Sequence, residues 1–150
     1  MTRLRPVPVA NPDDEEFWAY TARGELRLQR CSQCGRLRYP PAPCCPDCLS
    51  TTSTWVPVSG RGHLLSWARF HRSYFPGLPV PYLVVVVELA EGPLMVGNLV
   101  SAAGAGDADD ADPVDGPGEL RAGRPVRVAF QRVDLEDGGA LTLPQWQFID

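Results

Sequence analysis

From Thr54 onward apolar and polar residues alternate with a period of two, which predicts strands over 55–58, 63–70, 82–89, 94–100, 125–130 and 141–148. Gly, Pro and acidic turns separate them. Ahead of this region Leu26 and Leu28 alternate with Arg27 and Gln29, giving a brief strand that runs into Cys31. One helix precedes it: Asn11 or Asp13 is placed to cap, Asp13 to Glu16 fill a first turn where the helix dipole favours negative charge, and Gly24 stops it. Phe17, Trp18 and Tyr20 crowd this short helix, so one face packs on something larger, in the first instance the protein's own core. The pattern predicts a mainly β protein with a short N-terminal helix. Gly60, Gly62 and Gly97, inside or beside strand runs, predict a sheet that coils sharply enough to close as a small barrel.

The stretch 102–118 is Ala, Gly, Asp and Pro with only Val114 to anchor it, and is read as a surface loop with no derivable function. No window approaches the roughly 18 apolar residues of a membrane span, and the first residues do not look like a signal peptide. The expectation is a cytoplasmic protein without membrane attachment. Fourteen Arg, no Lys and eighteen acids give a net charge of −4, which offers no general attraction for a phosphate backbone. Any basic surface is local, and its cations are guanidinium groups that clamp phosphate or carboxylate with two bonds.

Five cysteines fall between positions 31 and 48 and none elsewhere. A disulfide framework would spread its bridges and need an oxidising compartment, so metal is the better account. Cys31/Cys34 and Cys45/Cys48 form two Cys-x-x-Cys pairs, each a tight turn aiming two thiolates at one ion. Gly35 permits the turn in which backbone N–H groups face the sulfurs, whereas the second pair has Leu49 at that place. Cys44 would leave a three-residue gap to Cys48 and is assigned as a bystander. Four protein thiolates close the shell, so the ion, zinc before iron, is structural. A rubredoxin-like iron centre is disfavoured by the ten residues between the pairs.

A nucleophile needs a base within reach, and only His63 and His71 exist. His63 is read as a half-buried barrel residue. His71 lies in Arg69-Phe-His-Arg72-Ser-Tyr74, where alternation continued from the strand puts Arg69, His71 and Ser73 on one face and Phe70, Arg72 and Tyr74 on the other. Arg69 and Arg72 are candidates for phosphate contact, with Tyr74 or Phe75 against an aromatic or apolar part of the same ligand. Arg36 and Arg38, between the cysteine pairs, are second candidates for phosphate contact. No catalytic residue is assigned.

The run Leu28-Gln-Arg-Cys31-x-x-Cys34-Gly35, Tyr39-Pro-Pro, Cys45-Pro-x-Cys48 and the Gly-rich β tail resemble the DUF35 proteins, zinc-ribbon OB-fold proteins associated with acyl-CoA. Trp18 before Gly24, Gly60-Arg-Gly62, Pro81-Tyr82, Val87-Glu-Leu89 and Gly123-Arg-Pro-Val126 extend the likeness over nearly the whole chain. The resemblance implies a helical arm (1–27), a rubredoxin-like zinc ribbon (28–52) and an OB-fold barrel (53–150). It also implies an accessory subunit, in a hetero-oligomer with a thiolase-like partner, including steroid-pathway aldolases, or a MaoC-like hydratase. There the partner carries the catalytic residues and the DUF35 chain helps to hold an acyl-CoA thioester. The competing reading is a single-stranded nucleic-acid-binding module with Trp55, Trp67, Phe70 and Tyr74 as stacking platforms, which the net charge opposes.

Overall fold

The computed structural model describes residues 6–100 and 120–149, so the 102–118 stretch lies outside the described residues. One helix and eight strands follow in chain order: α1 (Glu15–Thr21), β1 (Arg27–Cys31), β2 (Leu37–Arg38), β3 (Ser53–Pro57), β4 (Arg61–Phe70), β5 (Tyr82–Leu89), β6 (Leu94–Asn98), β7 (Pro125–Asp134) and β8 (Ala140–Phe148). They form two antiparallel sheets, a ribbon ordered β2-β1-β3 and a five-stranded sheet ordered β6-β5-β4-β7-β8. Among the described residues no helix is long and apolar enough to cross a membrane.

The helix is shorter than its capping signals suggest. The Asn11 side chain accepts from the Asp13 N–H at 2.9 Å, forming a local turn, and Asp14 occupies the N-cap position without a side-chain cap bond. What holds α1 is tertiary packing. Phe17 is 1% exposed and meets Trp18 edge-on at 5.0 Å and Tyr39 at 5.6 Å, within one core that also takes in Leu26, Leu28, Leu64, Val85 and Trp146. The aromatic face therefore serves the protein's own interior.

In the five-stranded sheet every second residue of β5 is buried: Leu83, Val85, Val87 and Leu89 point inward, and Tyr82, Val84 and Val86 outward. The β6 and β8 ends of the sheet approach each other. Leu99 bridges Trp146 in parallel, the Val100 N–H donates to the Trp146 carbonyl at 2.7 Å, and the Asn98 N–H donates to Gln145 Oε1 at 2.7 Å. The ladder is not continuous around the circumference, and this seam, with the strand order, gives the partly open five-stranded barrel of an OB-fold. Gly97 makes the seam possible, since a Cβ there would lie 3.0 Å from Cδ1 of the buried Trp146 indole. β3, beyond the expected ribbon boundary at 52, pairs with β1 from Arg27↔Pro57 to Cys31↔Ser53 and so completes the ribbon sheet.

Gly62 faces an equally tight constraint. A Cβ there would strike the Glu88 carbonyl and come within 2.7 Å of Val87 Cγ1, and backbone cannot yield as a side-chain tip can. We expect Gly62→Ala to lower stability by roughly 1–3 kcal/mol in chemical unfolding, and an unchanged midpoint would contradict the β4–β5 register described here.

Candidate functional site

The four paired cysteines converge. Their sulfurs all lie within 4.8 Å of one another, with Cys31 Sγ 3.5 Å from Cys48 Sγ and Cys34 Sγ 3.6 Å from Cys45 Sγ. An ion at the usual 2.3 Å zinc–sulfur distance in a tetrahedron needs sulfur separations of about 3.8 Å, so the cage has the right size. Cys44 is not one of the four.

The local backbone explains this geometry. The Gly35 N–H donates to the Cys31 carbonyl at 3.0 Å and the Leu49 N–H to the Cys45 carbonyl at 2.9 Å, which makes the two turns equivalents of each other. Gly35 sits at φ 77° and Leu49 at φ 62°. The second turn therefore adopts the left-handed conformation in spite of its side chain, at a cost of about 1–2 kcal/mol. The N–H groups turned toward the sulfurs act as expected: that of Cys34, with that of Gln33, lowers the Cys31 thiol to about 6, and those of Cys48 and Asp47 lower Cys45. Cys48 goes the other way. The Ser50 N–H favours its thiolate, but the sulfur of Cys31 beside it, burial and the other cage sulfurs outweigh this and push it up to about 12. Cys34 is also raised: the Arg36 N–H lowers it, but Cys45, burial and Cys31 prevail. Four sulfurs this close do not all ionise unless a cation sits between them. All coordination positions of a tetrahedral zinc are then taken by the protein, so the metal holds the ribbon together and has no site for substrate.

Of the other predicted residues Arg36 adjoins this cage, with its N–H toward Cys34, whereas Arg69, Arg72 and Tyr74 lie at the end of β4 and in the loop after it. β4 ends at Phe70, so the alternation expected through 74 stops there, and His71, Arg72, Ser73 and Tyr74 belong to the loop that follows. In that loop the Arg72 guanidinium lies 5.7 Å from the Tyr74 ring centroid, Tyr74 meets Phe70 edge-on at 6.3 Å, and Phe70 stacks on Tyr82 at 5.0 Å and 2°. Arg69, Arg72 and Tyr74 are all exposed here. Arg38 is elsewhere. It is buried in the ribbon and lines a cavity with Gly92 and Pro93 of the β5–β6 turn. Gly62 pairs with Leu89 at one end of β4 and Phe70 with Tyr82 at the other, so about eight residues, roughly 26 Å, separate the Arg38 end of the barrel from the Arg72 end. These four residues do not form one phosphate clamp.

His63 is exposed, opposite Glu88 across the strands, and is not the half-buried barrel residue expected. Its outward position follows from the period-two register that buries Gly62 and Leu64. Trp55 leans on Tyr20 at 5.9 Å and is committed to the helix–ribbon junction. The burial of Arg38 was not foreseeable from the sequence, because it lies on a two-residue strand that period-two analysis does not resolve.

Fold and site together define a zinc-ribbon and OB-fold protein. Residues 18–54 match the family profile described as "ChsH2, rubredoxin-like zinc ribbon domain", and residues 55–131 match "ChsH2, C-terminal OB-fold domain". The chain belongs to the ChsH2 group of the DUF35 family. It is 36% identical, over 94% of its length, to a probable enoyl-CoA hydratase alpha subunit of Thermomonospora curvata, and 32% identical over 57% to the benzoylsuccinyl-CoA thiolase subunit BbsA of Thauera aromatica. It spans 39% of the former relative's length and 58% of the latter's. A solved structure described as "Ltp2-ChsH2(DUF35) aldolase" superposes with a TM-score of 0.75 at 32% identity, covering 95% of this chain and 98% of that one.

We expect one equivalent of zinc per purified chain by elemental analysis. Cys45→Ser should lose the metal and most of the ribbon's stability, while Cys44→Ser should keep both. Protons compete with the ion for the thiolates, so zinc affinity should fall as pH falls, seen as acid release to a chromogenic chelator. Zinc retained by Cys45→Ser would refute the assigned ligand set.

Proposed function

We propose that this chain is a non-catalytic accessory subunit that docks on a thiolase-like or aldolase partner, or a MaoC-like hydratase, and helps to hold an acyl-CoA thioester in the resulting hetero-oligomer. The observation that carries this reading is the full-length likeness to the ChsH2(DUF35) chain of an aldolase, together with a metal cage that the protein itself saturates. The hydratase alternative rests on the relative from Thermomonospora curvata.

Two surface features support the reading. The outward residues of β5 and β6 make an apolar face in which Val96 is 57% exposed and Leu94 48% exposed, beside Val84 and Val86. Exposed apolar surface of this kind favours association with another subunit. At the far end of β4, Arg72 over Tyr74 offers a cation and an aromatic face side by side, which suits a phosphate and an adenine ring of one ligand. Arg69, the last outlying cation of β4, belongs to the same end and is proposed as a further phosphate contact. The partner supplies the groups that make and break bonds.

The test is co-purification from the source cells followed by assay. A thiolase-, aldolase- or hydratase-type enzyme should accompany the tagged chain, and the isolated chain should leave acyl-CoA thioesters intact. Tyr74→Ala and Arg72→Ala should each weaken acyl-CoA binding by the complex about tenfold, near 1.4 kcal/mol. Thioester turnover by the chain alone would overturn the accessory role, and unchanged affinity in both variants would remove the assigned contact.

A further inference from the structure

Among the described residues Arg38 has no counter-charge. It is 6% exposed, its Nε donates to Gln29 Oε1 at 2.9 Å and its Nη2 to the Ala42 carbonyl at 2.9 Å, while Nη1 is buried with no hydrogen-bond partner. Gln29 Oε1 also accepts the Ala42 N–H at 2.9 Å, so that oxygen is already shared. Among the described residues no carboxylate pairs with Arg38, and Asp47, in the ribbon's second turn, is bound to Arg36. A buried guanidinium charge is costly unless it is paired.

A cavity of about 550 Å³ separates the ribbon from the β5–β6 turn, lined by Arg36 and Arg38 on one side and by Gly92, Pro93 and Leu94 on the other, with no acidic residue in its wall. We propose that this cavity binds an oxyanion, a phosphate or carboxylate group of a small ligand, with Arg38 as the buried counter-charge and Arg36, itself paired with Asp47, at the rim. The Gln29 and Ala42 bonds hold the guanidinium plane in place, so the cavity has a fixed positive charge behind its wall. Pro93 and Leu94 leave room for an apolar portion of the same ligand. The site lies at the opposite end of the barrel from Arg72 and Tyr74 and does not depend on the acyl-CoA contact proposed for them.

The full-length, zinc-loaded chain is titrated with sodium phosphate, sodium acetate and sodium chloride at matched ionic strength, following the thermal midpoint and the side-chain Nε–H resonance of Arg38 by NMR. A saturable shift with phosphate or acetate, absent with chloride, is expected, and the stronger of the two identifies a tetrahedral or a planar anion. Arg38→Met should abolish it. Because that variant also loses two structural hydrogen bonds, Leu94→Glu serves as a second one: it changes a half-exposed side chain at the cavity rim, and should weaken oxyanion binding at least fivefold by repulsion without unfolding the chain. Equal responses to all three salts would overturn the proposal, as would a Leu94→Glu chain that binds as tightly as the unaltered protein.

Discussion

Four sulfurs in contact repel one another as thiolates and crowd one another as thiols, and a divalent cation at their centre resolves both. The ribbon depends on this one interaction. Its three strands are short, β2 only two residues long, and they add only Leu28, Cys31 and the partly buried Leu37 and Trp55 as apolar side chains to the interior. With the ion in place β1 and β3 are fixed in register, and β1 then presents Leu28 to the same core that receives Phe17 and Trp146. The helix, ribbon and barrel thus share one interior, with the metal stabilising the part that has least apolar surface of its own.

The barrel adds a second constraint, close approach of backbone at glycine. Gly62 and Gly97 each sit where a side chain would strike a neighbour, one at the β4–β5 contact and one at the seam with Trp146. Between them the sheet curls, and it separates two charged regions by the length of β4. One end offers an exposed Arg72–Tyr74 pair; the other offers a buried Arg38 beside a cavity.

Much of this was legible in the sequence, for physical reasons. The Cys-x-x-Cys pairs indicated the ligand set because that spacing turns two thiolates toward one point, and β5 followed from period-two burial, whereas β8 is buried at five successive residues, 143–147, without alternation. The helix limits were less legible, because Asn11 satisfied the Asp13 N–H in a turn of its own and packing of Phe17 set where α1 lies. The loop after β4 escaped because alternation carries no signal of where pairing ends; Phe70 is the last residue opposite a partner, Tyr82. Leu49 was read as a poorer turn residue, yet it takes the same left-handed conformation as Gly35, since the second pair of sulfur ligands demands it. Arg38 was visible only as one of several ribbon arginines, and its burial against Gln29 is a tertiary fact.

The most direct test of the metal as the support of the fold is amide hydrogen exchange of the chain with and without a zinc chelator. On metal removal the Gly35, Cys45 and Leu49 amides, which donate to the Cys31, Ser50 and Cys45 carbonyls, should lose protection together with β1 and β3, while Val85 and Val87 in β5 stay protected. Ribbon amides that remain as protected in the metal-free chain would contradict the account.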